Sequence, residues 1–481
     1  MEKIIKSIQK ISESTNTATF LVGGYIRDFL LKKNSYDLDL VVSKSANSFA
    51  KKIAEVTNGK CFILHNDTQV YRVAIFDNPN LKYIDISLMQ GKTIKEDLKK
   101  RDFTINSLAV DINCFDNIKK NVIDFYNGKE DLKNKEINLV YDKAFVDDPL
   151  RMLRAFRIAS EYNFKMSKKL ISSIKKYSNK ITLIAPERIK NEFFRILNNK
   201  NSAQYVLLLD DTKLLEILFP VILKMKKSAK NFYYHPKGLF QHCFQTLESL
   251  EKILIKLDIY FPESKDKLFK HLEEKFSDNV HRINMLKFIA IFHDCAKPEC
   301  AKKIDKKMRF LGHEELGAEA TSKIMKNLKM SNKEIDYAKS IISQHMRPSN
   351  LAKSDVITNK AKLKLFRDIQ GNVPDVLILA MSDWHSYKSL KVYSKKILKQ
   401  QEKTVASLIY NYFEFINKKI QEKIIDGTIL MKELSLKPGK LVGELLKLID
   451  IAQEEGKINN KKEAISFAKS KLTLVRKKHK I

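Results

Sequence analysis

The chain has 481 residues, 44% of them hydrophobic, and carries 89 lysines and arginines against 57 aspartates and glutamates, a formal net charge of +32. That length and apolar content exclude a disordered chain and predict about three domains, while the cation excess points to a polyanionic partner or to solvated lysine-rich helix faces. Five cysteines without a C-x-x-C pair suit a reducing compartment rather than a disulfide framework, and no apolar run approaches membrane-spanning length.

Residues 1–15 read as an amphipathic, lysine-containing helix without the apolar core of a signal peptide, so a cytoplasmic location is expected. Residues 1–140 then alternate helix-like and strand-like segments, with strands expected at 19–22, 38–43, 69–76 and 83–87. The first ends in Gly23 and Gly24, after which Ile26, Phe29 and Leu30 share one helical face: strand, glycine turn, helix. Glycines at such a turn let backbone N–H groups approach a triphosphate, the helix start adds partial positive charge, and Arg27 adds a fixed one. Asp37 and Asp39 flank Leu38 at the start of the next strand and project from one face, as a magnesium site requires. Asp85, between Ile84 and Ile86, is either a third carboxylate or an outward-facing strand residue.

Residues 100–109 place Asp102 and Thr104 before an apolar-periodic run, which by local rules starts a capped helix. Pro149 behind an acidic cap opens a second, helical region, where Asp148, Arg151 and Arg154 step by three and share a face. A surface ion pair is the plain reading of that face. A carboxylate beside a guanidinium can also read a base edge, accepting from the amino group of C or A while arginine donates to a ring nitrogen or carbonyl.

Further on, His242, the pair His293-Asp294 at the end of an apolar helix over 286–292, and Asp383 form a second set. One histidine on an apolar helix is an ordinary core residue; several converging with carboxylates hold a divalent ion that acidifies a water for attack on a phosphoester. Lys297, His313 and His345 fall between them, and the mixed nitrogen and oxygen set accepts several transition ions as well as magnesium. From about 400 onward lysine-rich amphipathic helices continue, broken at Pro438-Gly439, to a basic end, Arg476-Lys477-Lys478-His479-Lys480, which is RNA-binding or frayed.

The run GGYIRD followed by DLD resembles motif A of the class II tRNA nucleotidyltransferase and poly(A) polymerase family. Residues 100–106 resemble its motif B with Lys100 in place of the first arginine, and residues 147–151 its E-D-x-x-R element with Asp147 in place of the glutamate. Residues 186–193 resemble the helix motif that follows, and 434–458 the tail. The resemblance implies an α+β fold: a polymerase β-like nucleotidyltransferase head, a mixed sheet with helices, at 1–140. After it come an all-helical neck at 141–225, an HD domain at 226–400 and a basic tRNA-binding tail at 401–481. It implies Asp37, Asp39 and Asp85 as catalytic groups with Mg2+, and Gly23, Gly24, Arg27, Arg101, Asn106, Asp148, Arg151 and Arg154 as nucleotide-binding groups. Its partners would be tRNA, CTP and ATP.

The pattern His242, His293-Asp294, Asp383, with Lys297, His313 and His345 as accessories, resembles the HD phosphohydrolase superfamily. It implies a divalent metal of unread identity and a second activity on 2′,3′-cyclic or 2′-phosphates. The expected function is untemplated CCA addition to tRNA by a monomer or homodimer. The rivals are a poly(A) polymerase, an enzyme adding only CC or only A, and an HD phosphohydrolase that uses the nucleotidyltransferase fold to bind RNA.

Overall fold

Short apolar runs build a seven-stranded mixed sheet in the first of two units, Met1–Pro220. Its strands are β1 Thr19–Val22, β2 Asp37–Val42, β3 Lys60–His65, β4 Val70–Ala74, β5 Tyr83–Leu88, β6 Leu108–Asp111 and β7 Ile123–Asp124, in the order β3-β4-β5-β2-β1-β6-β7. This computed structural model describes residues 2–65, 69–79, 81–228, 238–352, 357–387, 394–421 and 424–479.

Strand β2 lies at the centre, antiparallel to β1 and parallel to β5, so that Asp39 is level with Val22 on one side and Asp85 on the other. Leu38, Leu40, Val41 and Val42 are fully buried. Each such side chain contributes about 1.5–3 kcal/mol of hydrophobic stabilisation. The parallel pairing needs a crossover, which the helix Ala46–Val56 and the β3-β4 pair supply.

One sequence expectation fails here, and the expected strand, glycine turn and helix at 19–30 form with a different buried face. Residues 100–109 form only a short 3-10 turn, Thr104–Asn106, and then strand β6, whose Ala109 sits opposite Val22. Pairing with β1 satisfies that backbone and buries Leu108, Ala109 and Val110, which outweighs a weak local helix preference. In the helix Gly24–Leu30 the buried residues are Ile26, Arg27 and Asp28, whereas Phe29 is exposed. A polar network holds that face instead of an apolar stripe.

Behind the sheet, the helices Arg151–Tyr162 and Pro186–Leu197 bury Phe156, Phe193 and Phe194. Proline opens the second of them, as its fixed φ and missing donor favour. A buried ion pair ties the two together, Arg157 Nε donating to Glu192 Oε2 at 2.7 Å.

The described residues of the second unit, Val221–Ile481, form helices and two short hairpins, Lys275–Ser277 with Val280–His281 and Lys302–Ile304 with Lys307–Arg309. The helices Leu239–Ile255, Arg282–Phe292 and Val373–Ser386 pack on one another and are apolar nearly all round, as core helices are. The helix Lys395–Gln421 follows, and Gly427–Leu434, Lys440–Glu454 and Lys461–His479 close a smaller core around Leu430, Leu445, Ile449 and Ala464. Lys480 of the basic end lies outside the described residues. No helix among the described residues is long and apolar enough to cross a membrane.

Candidate functional sites

Gly23 stands at the junction of β1 and the helix Gly24–Leu30 with φ +71°, a backbone region that other L-residues adopt at a cost. A Cβ there would meet Arg101 Nη1 at 3.1 Å and Asp39 Oδ2 at 3.5 Å. The glycine turn therefore touches the β2 carboxylate and the motif B arginine at once. Asp37 and Asp39 share one face of β2, and Asp85 lies beside Asp39 in register.

Burial raises the Asp39 carboxyl to about 6, with Asp85 and Asp37 adding to the rise and Arg101 opposing it. Asp37 is raised as well, by burial and by Asp85. Two carboxylates of one strand thus lie where ionisation is penalised, a donor pair that a divalent cation stabilises, with Asp85 on the neighbouring strand beside Asp39. Asp85 is held by Arg72 in a two-pronged pair, Nε to Oδ1 at 2.7 Å and Nη2 to Oδ2 at 2.6 Å.

A cleft of about 270 Å3 opens beside these residues, lined by Ser87, Gln90, Asp97, Lys100, Arg101 and Asp102 and by the expected trio Asp148, Arg151 and Arg154. The trio is thus brought together with Arg101. Arg151 donates to the Tyr141 hydroxyl at 2.8 Å and to the Lys100 carbonyl at 2.9 Å. Asp148 accepts from the Leu150 N–H at 3.1 Å and from Arg188 Nη2 at 3.1 Å. The helix motif at 186–193 therefore braces the cleft through Arg188.

Arg27 and Asn106 occupy a different place. Arg27 is 8% exposed, and its three nitrogens donate to Asp28, Asn106 and the Tyr162 hydroxyl at 2.9, 2.7 and 2.6 Å. Asn106 in turn donates to Asp102 Oδ1 at 3.0 Å, while Arg154 Nε and Nη2 reach Asp102 Oδ2 at 2.9 and 2.7 Å. Burial works to raise the Asp102 carboxyl, but Arg154, Asn106 and the Phe103 N–H outweigh it and hold it well below the usual range. A chain of polar side chains thus runs from the glycine-turn helix to the cleft. Asp28, Asp102, Tyr141 and Tyr162 were not among the expected site residues; Asp102 lies within the motif B run, whereas only tertiary packing reveals the tyrosines.

In the second unit, His242, His293, Asp294, His313, His345 and Asp383 converge from five places in the chain. His242 and His293 Nε2 lie 3.2 and 3.3 Å from Asp294 Oδ2, and His313 and His345 Nε2 lie 3.3 and 3.5 Å from Asp294 Oδ1. Asp383 Oδ1 is 3.0 Å from His242, and Lys297 Nζ is 2.5 Å from Asp294.

The outer ring nitrogens are fixed. Nδ1 of His293, His313 and His345 meets the carbonyl oxygens of Ala290, Phe310 and Ile342 at 2.9, 2.6 and 2.6 Å, and Nδ1 of His242 meets Ser386 Oγ at 3.1 Å. A proton on Nδ1 leaves the Nε2 lone pair facing inward, the tautomer of a metal-ligating histidine. Among the described residues the Nε2 atoms of His293, His313 and His345 and Oδ1 of Asp294 and Asp383 are buried without a hydrogen bond. Such atoms are costly to bury unless something occupies the space between them. Burial lowers His345, keeping it neutral. Burial also works to raise Asp294, but His293 and Lys297 hold it well below the ordinary range. Cys243 joins the same cluster; in the sequence it is one of five cysteines without a C-x-x-C partner, and nothing local marks it as a ligand.

A mixed sheet thus offers paired carboxylates beside an arginine-lined cleft. Residues 19–138 match the poly A polymerase head domain, 163–225 the "Probable RNA and SrmB- binding site of polymerase A", and 308–468 tRNA nucleotidyltransferase domain 2. The chain is 23% identical over 459 residues to the A-adding tRNA nucleotidyltransferase of Deinococcus radiodurans, covering 93% of this chain and 94% of that protein. It is 26% identical over 455 residues to the CC-adding tRNA nucleotidyltransferase of Synechocystis sp., covering 93% and 92%. The solved complex of a CCA-adding enzyme with CTP shares the fold with a TM-score of 0.64 at 20% identity, over 98% of this chain and 95% of that one. Three segments of the chain are thus similar to domains of poly(A) polymerases and tRNA nucleotidyltransferases, and its fold is that of a CCA-adding enzyme.

Proposed function

We propose that the protein is a CCA-adding tRNA nucleotidyltransferase that builds the tRNA 3′ end from CTP and ATP without a nucleic-acid template. The observation that carries this reading is Asp39 against the Gly23 turn, with Asp37 on the same face of its strand, and Arg101 joining them to a cleft also lined by Asp148, Arg151 and Arg154. Asp37 and Asp39 would hold magnesium, which when bound favours the 3′-alkoxide and neutralises triphosphate charge. Asp85, released from Arg72, is the candidate third carboxylate.

The chain's own groups do the selecting. Gly23 and Gly24 leave room for phosphates against the backbone, and Arg101 supplies a cation at the carboxylates. Asp148 and Arg151 read the base edge, accepting from an amino group and donating to a ring acceptor, so C and A satisfy both while G and U leave one unpaired. Arg154, fixed by Asp102, keeps that pair oriented. Arg27 and Asn106 act at one remove, locking the glycine turn to the Asp102 chain. Head, neck, metal-ligating domain and tail are proposed at 1–140, 141–225, 226–400 and 401–481. Replacing Asp37 and Asp39 together by alanine should abolish nucleotide addition and leave tRNA binding largely intact; retained addition overturns the assignment.

The second reading, addition of CC alone or A alone, is favoured by the names of three relatives matched over nearly their whole length, one A-adding and two CC-adding. For the second unit we propose a phosphohydrolase site of the HD type acting on 2′,3′-cyclic or 2′-phosphates. His242, His293, Asp294 and Asp383 would hold one divalent ion, with Asp294, His313 and His345 placed to hold another. Bound metal supplies an acidified water; Lys297 contributes a cation beside Asp294 for the phosphate.

A further inference from the structure

Between Lys297 and His313, two residues of the metal-ligating cluster, the chain leaves the helical body as the hairpin Lys302–Ile304 and Lys307–Arg309. Asp305 and Lys306 at its tip have φ +50° and +61°, the paired positive values of a tight two-residue hairpin turn. The hairpin is therefore a defined projection of three-residue strands, extending about 10 Å. All of residues 302–309 are exposed, and they carry five cations, Lys302, Lys303, Lys306, Lys307 and Arg309, against the single anion Asp305.

The register shows where those charges lie. Lys302 is opposite Arg309, Ile304 opposite Lys307 and Lys303 opposite Met308. Alternation then puts Lys302, Lys307 and Arg309 on one face with Ile304 among them. Like charges directly opposite one another weaken a hairpin. A free-standing arm that keeps such a pair, with no carboxylate across from it, is suited to an external polyanion. Ile304, 39% exposed, gives that face an apolar spot between its cations, and Met308, 43% exposed, lies beside Lys303 on the other face.

The base of the arm is joined to the cluster. The Phe310 carbonyl meets His313 Nδ1 at 2.6 Å, and Lys297 Nζ lies 5.7 Å from the centroid of the Phe310 ring. A mononucleotide would be served by Lys297 and the ligand set alone, which leaves five outlying cations without a task.

We propose that this hairpin guides a single-stranded RNA backbone to the cluster, so that the second site acts on a phosphate ester at an RNA end rather than on a free nucleotide. The substrate assignment rests on the phosphohydrolase reading above; the RNA contact itself does not.

The test uses the full-length protein and a triple variant, Lys302→Gln, Lys307→Gln and Arg309→Gln, all at exposed positions. Binding of a short labelled single-stranded RNA is followed by fluorescence anisotropy across a salt series. Loss of three phosphate contacts should lower the slope of log K against log salt by about two; an unchanged slope overturns the proposal. In parallel, manganese-loaded proteins are given that RNA ending in a 2′,3′-cyclic phosphate and the small diester bis(p-nitrophenyl) phosphate. The ratio of kcat/KM for RNA over the small diester should fall at least about tenfold. Equal loss on both substrates would make the hairpin a structural support and overturn the proposal. If the parent protein hydrolyses neither, the phosphohydrolase reading and the substrate assignment fall together, and the salt slope alone decides whether the arm holds RNA.

Discussion

Replacing Asp102 by asparagine probes the polar chain that joins the glycine turn to the arginine-lined cleft. Asp102 is 6% exposed and accepts four hydrogen bonds, two from Arg154, one from Asn106 and one from the Phe103 N–H at 2.8 Å. Asparagine keeps the shape and one acceptor but turns an amide toward the Arg154 guanidinium. Removing one partner of a fully buried pair costs about 3–5 kcal/mol. The Arg154 side chain is 37% exposed, so water screens part of that loss and about 2 kcal/mol is expected.

The sign of the pH dependence follows from the direction of the shift. The folded-state carboxyl is held below its ordinary value of about 3.9, so its contribution is fully present above that value and is lost as pH falls through the folded-state value. The assay is hydrogen exchange of peptides spanning residues 98–111 in parent and variant. The variant should lose about 2 kcal/mol of protection at neutral pH, and the difference should shrink below about pH 4. An equal difference at both pH values, or none at neutral pH, would refute the reasoning.

Arg188→Ala should free the Asp148 carboxylate from its ion pair and raise misincorporation of UTP and GTP relative to CTP and ATP, with little change in stability because Arg188 is half exposed; single-turnover incorporation of each nucleotide checks this. Stripping the protein with a chelator should lower its unfolding temperature, and adding back a divalent transition ion at about a hundredfold excess over its Kd should restore about 2.7 kcal/mol. Asp294→Asn should abolish that restoration and reduce bound metal in elemental analysis, since Asp294 faces His242 and His293 with one oxygen and His313 and His345 with the other.

Strands β1, β2 and β5 were legible because each is a short apolar run bounded by turn residues, and the carboxylates of β2 could be placed on one face from alternation alone. Strand β6 was not legible: Thr104 and Asp102 supply the local chemistry of a helix cap, and only the open edge of β1 decides otherwise. Strand β3, Lys60–His65, mixes polar and apolar residues on both faces and gives no clear period. The burial of Arg27 was hidden for a similar reason. An arginine in a glycine turn reads as a phosphate ligand until Tyr162, far along the chain, is seen to cap it. The histidines of the second unit were legible as a set, but their fixed outer nitrogens depend on backbone carbonyls that sequence cannot orient.

The most direct measurement of the central claim is a gel assay with labelled tRNA lacking its 3′-CCA, supplied with CTP alone, ATP alone or both. CCA addition predicts extension by three nucleotides that completes only when both are present. Open-ended extension from ATP alone, or no extension with any mixture, would contradict it.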